Sequence, residues 1–309
     1  MSKFKSLKRI LTNRNLAKAL IISKLRFLFT DEQYLKLIFP LSLGYPLNLE
    51  DPKTYNEKLQ WLKLYNKNPL YTTLVDKYAV KEWVAKKIGS QYVIPTLGVW
   101  DDARKIDFDA LPEQFVLKAT HDGGGASVIV CKSKQTFDKG KAIKQLNRCL
   151  RRKHSKSGLE WVYDDVPPRI IAEQYMEDST TGELRDYKFF AFDGYVPALF
   201  VATERGSGHV KFDYFDSDFK HLDLTQSHPN ATFTINKPET FEEMKRIASV
   251  LSKGIPHVRV DLYEVNGKVY FGEMTFFHYG GHTPFNPVSW DRTFGDWITL
   301  PQKNAFISV

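Results

Sequence analysis

The chain has 309 residues, 42% hydrophobic and 14% aromatic, which excludes a disordered chain and allows two domains around a sizeable core. The formal net charge is +8, but eight of the 44 lysines and arginines fall in residues 1–30, which hold no acid, so the rest of the chain balances. That distribution excludes a general nucleic-acid surface. The two cysteines, Cys131 and Cys149, make neither a disulfide framework nor a metal site at the usual spacing, which fits a reducing, cytoplasmic compartment.

Residues 3–29 read as one or two basic amphipathic helices. Phe4, Leu7 and Leu11 recur at helical spacing, as do Leu16, Leu20, Phe27 and Leu28. Lys18, Lys24 and Arg26 interrupt the apolar run, so it is too short to span a bilayer and unlike a secretory signal. The expectation is a helix lying on an anionic membrane surface, the inner face of the plasma membrane; the alternative is a terminal helix packed on the domain. Residues 31–75 are expected to be mostly helical, with breaks at Pro40, Pro46 and Pro52. Thr54 with Glu57 three positions on predicts a capping box for a helix over Tyr55–Tyr65. The aromatic residues there read as core. A further helix is expected from Asp76 to Ile88, ending at Gly89, then short strands at Tyr92–Ile94 and Leu97–Val99.

Phe115–Leu117 reads as a strand that delivers Lys118, followed by a turn with Gly123, Gly124 and Gly125 and a second strand, Ser127–Val130. Glycines let backbone N–H groups approach a phosphate, with Lys118 as a point charge. No Gly-Lys-Ser/Thr opens a helix, so this is not a Walker loop, and a flexible turn is the alternative. His121 and Asp122 read as turn and packing residues. Residues 139–156 form a basic helix with Ile143, Leu146 and Leu150 inward, and Arg151–His154 as a solvated end. Strands are expected at Arg169–Tyr175, Asp186–Phe192, Tyr195–Ala202 and His209–Phe215, and an amphipathic helix at Phe241–Ser252. Phe276–Pro287 reads as a loop, with a short terminal helix beyond residue 290.

His257–Thr275 carries the chemistry. It alternates as a β-hairpin around Asn266-Gly267, with Val258, Val260, Leu262 and Met274 facing the core. A two-residue loop would put Asp261 and Glu273 on opposite faces, whereas a three-residue loop with Gly267 in a bulge puts them on one face and sets Glu264 opposite Lys268. The three-residue form is expected. Arg259, Asp261, Glu273 and Thr275 then share a surface suited to Mg²⁺ and polyphosphate, the alternative being a solvated face with an Asp–Arg pair.

Together DPKTYNEKLQWLKLY, DKYAVKEWV, LPEQFVLKATHDGGG, IIAEQYM, DYKFFAFDG and VRVDLY…GEMTFFHYGG resemble the TupA-like ATP-grasp family, from about Leu35 to about Pro301. The resemblance implies an α+β ATP-grasp fold, two subdomains clasping ATP. The segments expected are a basic helical stretch at 1–30, a helical region at 31–75, a small subdomain at 76–176 and a large one at 177–309. Lys118 matches a phosphate lysine, and Gly123, Gly124 and Gly125 match the loop over the phosphates. Glu173, Gln174, Tyr175 and Met176 match the hinge whose backbone reads adenine, and Lys188 stands at a second phosphate contact. Asp261 and Glu273 match the Mg²⁺ carboxylates and Arg259 the arginine that steadies the acyl transfer. Thr275 departs from the family's usual Asn and would be a weaker metal ligand. The implied activity is ADP-forming carboxylate–amine ligation through an acyl phosphate. An amino acid or amine would be joined to an acidic sugar or lipid-linked saccharide in surface polysaccharide synthesis. A glycosyltransferase or sugar kinase of the same pathway is the alternative.

Overall fold

The computed structural model describes residues 14–123, 125, 127–152, 158–180, 182–205 and 208–303. Gly124, Lys153, His154 and residues 1–13 therefore lie outside the described residues, although sequence expectations fall on them. In chain order the helices and strands begin with α1 (Arg14–Lys24), α2 (Asp31–Leu43), α3 (Tyr55–Tyr65), α4 (Leu70–Val75) and α5 (Ala79–Ile88). There follow β1 (Thr96–Trp100), β2 (Phe115–Ala119), β3 (Ile129–Cys131), α6 (Lys139–Leu150) and β4 (Ile170–Gln174). The chain continues with β5 (Asp186–Phe192), β6 (Tyr195–Thr203), β7 (Lys211–Asp216), α7 (Phe241–Ser252), β8 (Val258–Val265), β9 (Lys268–Thr275) and α8 (Ser289–Asp296).

The chain divides into two compact units. The first comprises residues 1–67, 157–159 and 277–309, the second 68–156 and 160–276. In the first unit Thr54 caps α3, its side chain accepting from the Glu57 N–H while Glu57 reaches back to the Thr54 N–H. The proline expected to break the preceding helix does not do so. Pro40 lies inside α2, which ends only at Gly44 in the left-handed conformation. Four residues from a C-terminus, a missing N–H costs one bond and the helix has little left to lose. Asp291 of α8 ties the unit together, accepting from the Asn56 N–H (3.0 Å), the Asn56 side chain (2.9 Å) and the Tyr45 hydroxyl (2.8 Å). The buried Lys63 ammonium donates to the carbonyls of Gly158 (2.8 Å) and Gly280 (2.6 Å). The segment from Phe277 onward thus belongs with α1–α3, although the sequence expectation continued the large subdomain to residue 309.

The second unit holds two antiparallel sheets. One has the order β1-β4-β2-β3, the other β7-β6-β5-β8-β9. In the first, Phe115, Leu117, Ile170, Ala172 and Cys131 face a core closed by Leu146 of α6, with Ile143 and Leu150 packed against it. Strict alternation turns Val116, Lys118 and Glu173 to the other face. In the second sheet Val258, Val260, Leu262 and Met274 are buried on the side of α7, where Phe189 meets Phe241 at 6.0 Å between ring centres. The strand expected at Tyr92–Ile94 is instead a 3₁₀ turn, Ser90–Tyr92, followed by a single bridge from Val93 to Phe271.

The hairpin corrects the expected turn. Val265 pairs with Lys268, so the loop is the two-residue Asn266-Gly267, with φ of 51° and 71° as a type I′ turn demands. Glu264 stands opposite Val269, not Lys268, and accepts from the Thr240 hydroxyl at 2.8 Å. The parity that a two-residue loop should spoil is restored farther along the ribbon. Leu262 pairs with Phe271 but Asp261 pairs with Glu273, so Gly272 is the extra residue of a β-bulge. Asp261 and Glu273 share a face after all, by a bulge and not by the loop.

Gly272 suits that bulge because a Cβ there would lie 2.9 Å from the Asp261 carbonyl oxygen and 3.0 Å from the Tyr263 ring. Gly272→Ala is therefore expected to destabilise the protein by about 1–3 kcal/mol and to displace Glu273. Thermal melts together with ATP titration check this; an unchanged melt would contradict the tight approach.

Candidate active site

A cavity of about 440 Å³ is lined by the polar face of the first sheet and by one end of the second, all within the second unit. From the first sheet come Lys118, Glu173, Gln174, Tyr175 and Met176, with Gly125 from the glycine turn. From the second come Asp186, Tyr263, Gly272 and Glu273, with Arg205 from the segment after β6 and Lys77 from just before α5. Gly123 lies against Tyr163, whose ring would meet a Cβ there at 2.9 Å.

On the first sheet a buried carboxylate organises the lysines. Glu173, placed by alternation opposite Val116, is ion-paired with Lys118 and with Lys81, the latter at 2.7 Å. Burial pushes the Glu173 carboxyl up, but Lys118 and Lys81 outweigh it and hold the group below its ordinary 4.5. Burial lowers the Lys81 ammonium, against the opposing pull of Glu173. The side chain of Glu173 thus has a role beyond the backbone contact expected of it. Lys118 is carboxylate-paired, yet it lines the cavity.

The second sheet carries the denser charge. Register sets Lys188 directly opposite Asp261, Asp261 opposite Glu273, and Arg259 opposite Thr275. Lys188 is wedged between Asp261 and Asp186, the latter at 2.6 Å. The resemblance sets Lys188 at a second phosphate contact, and here it stands between two carboxylates. Arg259 binds Asp261 through two N–H groups (2.7 and 2.8 Å), donates to the Thr275 hydroxyl (2.9 Å), and sits 5.5 Å above the Phe200 ring. Its closest approach to Glu273 is 3.8 Å. The resemblance assigns Arg259 to steadying the acyl transfer; in this structure its guanidinium is largely buried and grips Asp261. Burial disfavours its charge, but Asp261 more than offsets that and raises its pKa. Burial also raises the Asp261 carboxyl, against Arg259 and Lys188. Glu273 goes the other way: burial would raise it, but Lys77 at 3.0 Å, then Lys188 and Arg259, drive it far below its ordinary value.

A hard divalent cation fits this donor set. Glu273 and Asp186 line the cavity, the buried Oδ1 of Asp186 has no hydrogen-bond partner among the described residues, and Asp261, opposite Glu273, is fully buried with its oxygens on Arg259 and Lys188. Among them no cluster of three His, Cys, Asp or Glu forms a self-sufficient cage. Mg²⁺ is ordinarily held by one or two carboxylates plus substrate phosphates, so the cavity-lining Glu273 and Asp186 suffice without Asp261 exchanging its partners. Thr275 lends its oxygen to Arg259 and so supports the arginine.

Sequence reasoning missed Lys77, Lys81, Asp186, Arg205 and Tyr263. Arg205 pairs with Asp186 at 3.0 Å, and Asp186 is the main cause of its raised pKa. The available signal was the pair Lys77 and Lys81, four apart across the start of α5, each aimed at a different carboxylate.

The α+β arrangement of two antiparallel sheets facing one charged cavity is that of the ATP-grasp proteins, ATP-dependent ligases that form ADP. Residues 57–299 match the TupA-like ATPgrasp family, and the chain belongs to it. Solved structures similar in fold include D-alanine–D-alanine ligase from Helicobacter pylori, at 13% identity and a TM-score of 0.45, covering 79% of this chain and 69% of that one. The D-alanine–D-alanine ligase from Bacillus anthracis complexed with ATP matches at 15% identity and 0.38, covering 66% and 54%. D-cycloserine synthetase DcsG matches at 19% and 0.39, covering 67% and 64%. The chain thus spans 54% to 69% of the length of these ligases. No curated protein sequence matches it.

Acid should unfold this protein through the depressed carboxylates. Glu173 and Glu273 titrate in the folded state below the ordinary 4.5, so the stability they contribute is complete above that pH and is lost as pH falls through their folded values. Melting temperatures followed from about pH 6 to about pH 3 should drop steeply below about 4.5, and Glu173→Gln should flatten that drop. An identical slope in the variant would remove Glu173 from this account.

Proposed function

We propose that the protein ligates a carboxylate to an amine at the expense of ATP, through an acyl phosphate. Its substrates are an acidic sugar or lipid-linked saccharide and an amino acid or other amine, in the synthesis of a surface polysaccharide. The observation that carries the reading is the placement of Lys118 and Glu273 on the lining of one cavity, with the buried Asp261 opposite Glu273 in the wall. Membership of the TupA-like ATPgrasp family supports the ATP-dependent ligation, and the substrate class rests on the resemblance of the sequence motifs alone.

In this reading Lys118 and Lys77 bind phosphate oxygens, exchanging carboxylate partners for the nucleotide. The strand end Glu173–Met176 offers backbone groups to adenine. Mg²⁺ held by Glu273 and Asp186 would offset the charge of the transferring phosphate. The substrate carboxylate oxygen attacks the γ-phosphorus, the bond to the β-bridging oxygen breaks, and ADP leaves. The amine nitrogen then attacks the acyl carbon and phosphate departs as the amine loses a proton. Arg259 holds Asp261 in place, and Arg205, half exposed at the cavity rim, is positioned to orient an acidic substrate.

Lys118→Ala should weaken ATP binding roughly ten- to hundredfold, the size of a charge-assisted contact, while the fold persists because Lys81 still neutralises Glu173. Calorimetry with ATP and Mg²⁺ measures it, and unchanged affinity would remove Lys118 from the phosphate role. The reaction is tested by incubating protein, ATP and Mg²⁺ with pools of acidic sugars and of amines. ADP and phosphate released only with both pools is the result expected. A phosphorylated sugar formed without amine would make the protein a kinase, and turnover of sugar nucleotides alone a glycosyltransferase.

A further inference from the structure

Arg14, Lys18, Ile21, Leu25 and Leu28 follow one another at spacings of four, three, four and three, one stripe along α1 and the turn after it. Leu20, Lys24 and Phe27 lie beside them. The opposite side is the one that packs: Ser23 Oγ lies 3.1 Å from the Tyr34 hydroxyl of α2, and Arg26 stacks 4.8 Å above the Tyr34 ring. Among the described residues the stripe is exposed along its length. α1 has no buried residue, and Ile21, Phe27 and Leu28 are 58%, 79% and 61% exposed. Large apolar side chains concentrated this way beside exposed basic residues mark an interaction surface.

We propose that α1 and the following turn are an interfacial attachment site for an anionic lipid surface. Charge decides the occupant. Residues 1–30 contain eight basic residues and no acid, and the nearest acids, Asp31 and Glu32, are engaged by Arg26 and Lys36. A second copy docking symmetrically would set this basic surface against itself. Anionic headgroups complement it, while Ile21, Leu25, Phe27 and Leu28 enter the acyl boundary and the stems of Lys18 and Lys24 lie along it with their ammonium groups among the headgroups. Among the described residues no helix is long and apolar enough to cross a membrane, so the contact is with its surface. The inference stands independently of the reaction chemistry.

The full chain is sedimented with vesicles of phosphatidylcholine and of an equimolar phosphatidylcholine–phosphatidylglycerol mixture. It should pellet with the anionic vesicles, remain in solution with the neutral ones, and be released by high salt. Lys18→Gln/Lys24→Gln should lower partitioning about tenfold or more. Ile21→Glu/Phe27→Glu/Leu28→Glu should abolish it with the melting temperature unchanged, since those side chains face solvent. Several outcomes would overturn the proposal: no pelleting, equal pelleting of wild type and both variants, or a lower melt for the triple variant, which would mean those residues pack internally. So would sedimentation velocity showing a dimer that the triple variant breaks while vesicles bind neither form.

Discussion

Three carboxylates, Asp186, Asp261 and Glu273, stand on one face of the second sheet, Asp186 and Asp261 fully buried and Glu273 partly so. Isolated carboxylates in such a place would cost several kcal/mol each in lost hydration. The surroundings are the answer to that cost. Lys188 is shared by Asp186 and Asp261, Arg259 grips Asp261 with two hydrogen bonds, Arg205 takes Asp186, and Lys77 takes Glu273. These cations arrive from β5, β8, the segment after β6, and the turn before α5. A network this highly charged is a poor way to stabilise a fold, because apolar residues of similar volume would do as well. Asp186, Arg205, Lys77 and Glu273 of this network all stand on the lining of the cavity.

The first sheet repeats the arrangement with one carboxylate. Glu173 balances Lys118 and Lys81, so the lysine that faces the cavity is kept extended and oriented before any nucleotide arrives. Phosphates entering between the two sheets would meet a set of ion pairs in which each cation already has a carboxylate to exchange for a phosphate oxygen. Preorganisation of that kind lowers the cost of ordering side chains on binding.

Much of this was legible in the sequence because it depends on local periodicity. Alternation along Val258–Leu262 separates core from site, the Thr54–Glu57 spacing announces its cap, and the apolar run before Lys118 places that residue on a strand. The motifs together carried the ATP-grasp fold. What escaped was non-local: the partners of Glu173 and Lys188, the cavity roles of Asp186 and Arg205, and the grouping of residues 277–309 with α1–α3. No spacing rule connects Lys77 to Glu273, nearly two hundred residues away.

The hairpin marks the division most clearly. The sequence by itself determined that Arg259, Asp261 and Tyr263 would share one face, because side chains alternate along any strand. It also determined that the chain would turn at Asn266-Gly267, since those residues accept positive φ at little cost. Whether Glu273 joined Asp261 was decided elsewhere. The extra residue needed to restore the register could sit in the loop or within the ladder, and local propensity barely distinguishes them. The tertiary structure placed it at Gly272, where the Asp261 carbonyl and the Tyr263 ring leave no room for a side chain. Packing across the ribbon, which the linear sequence does not display, is what brings the two carboxylates face to face.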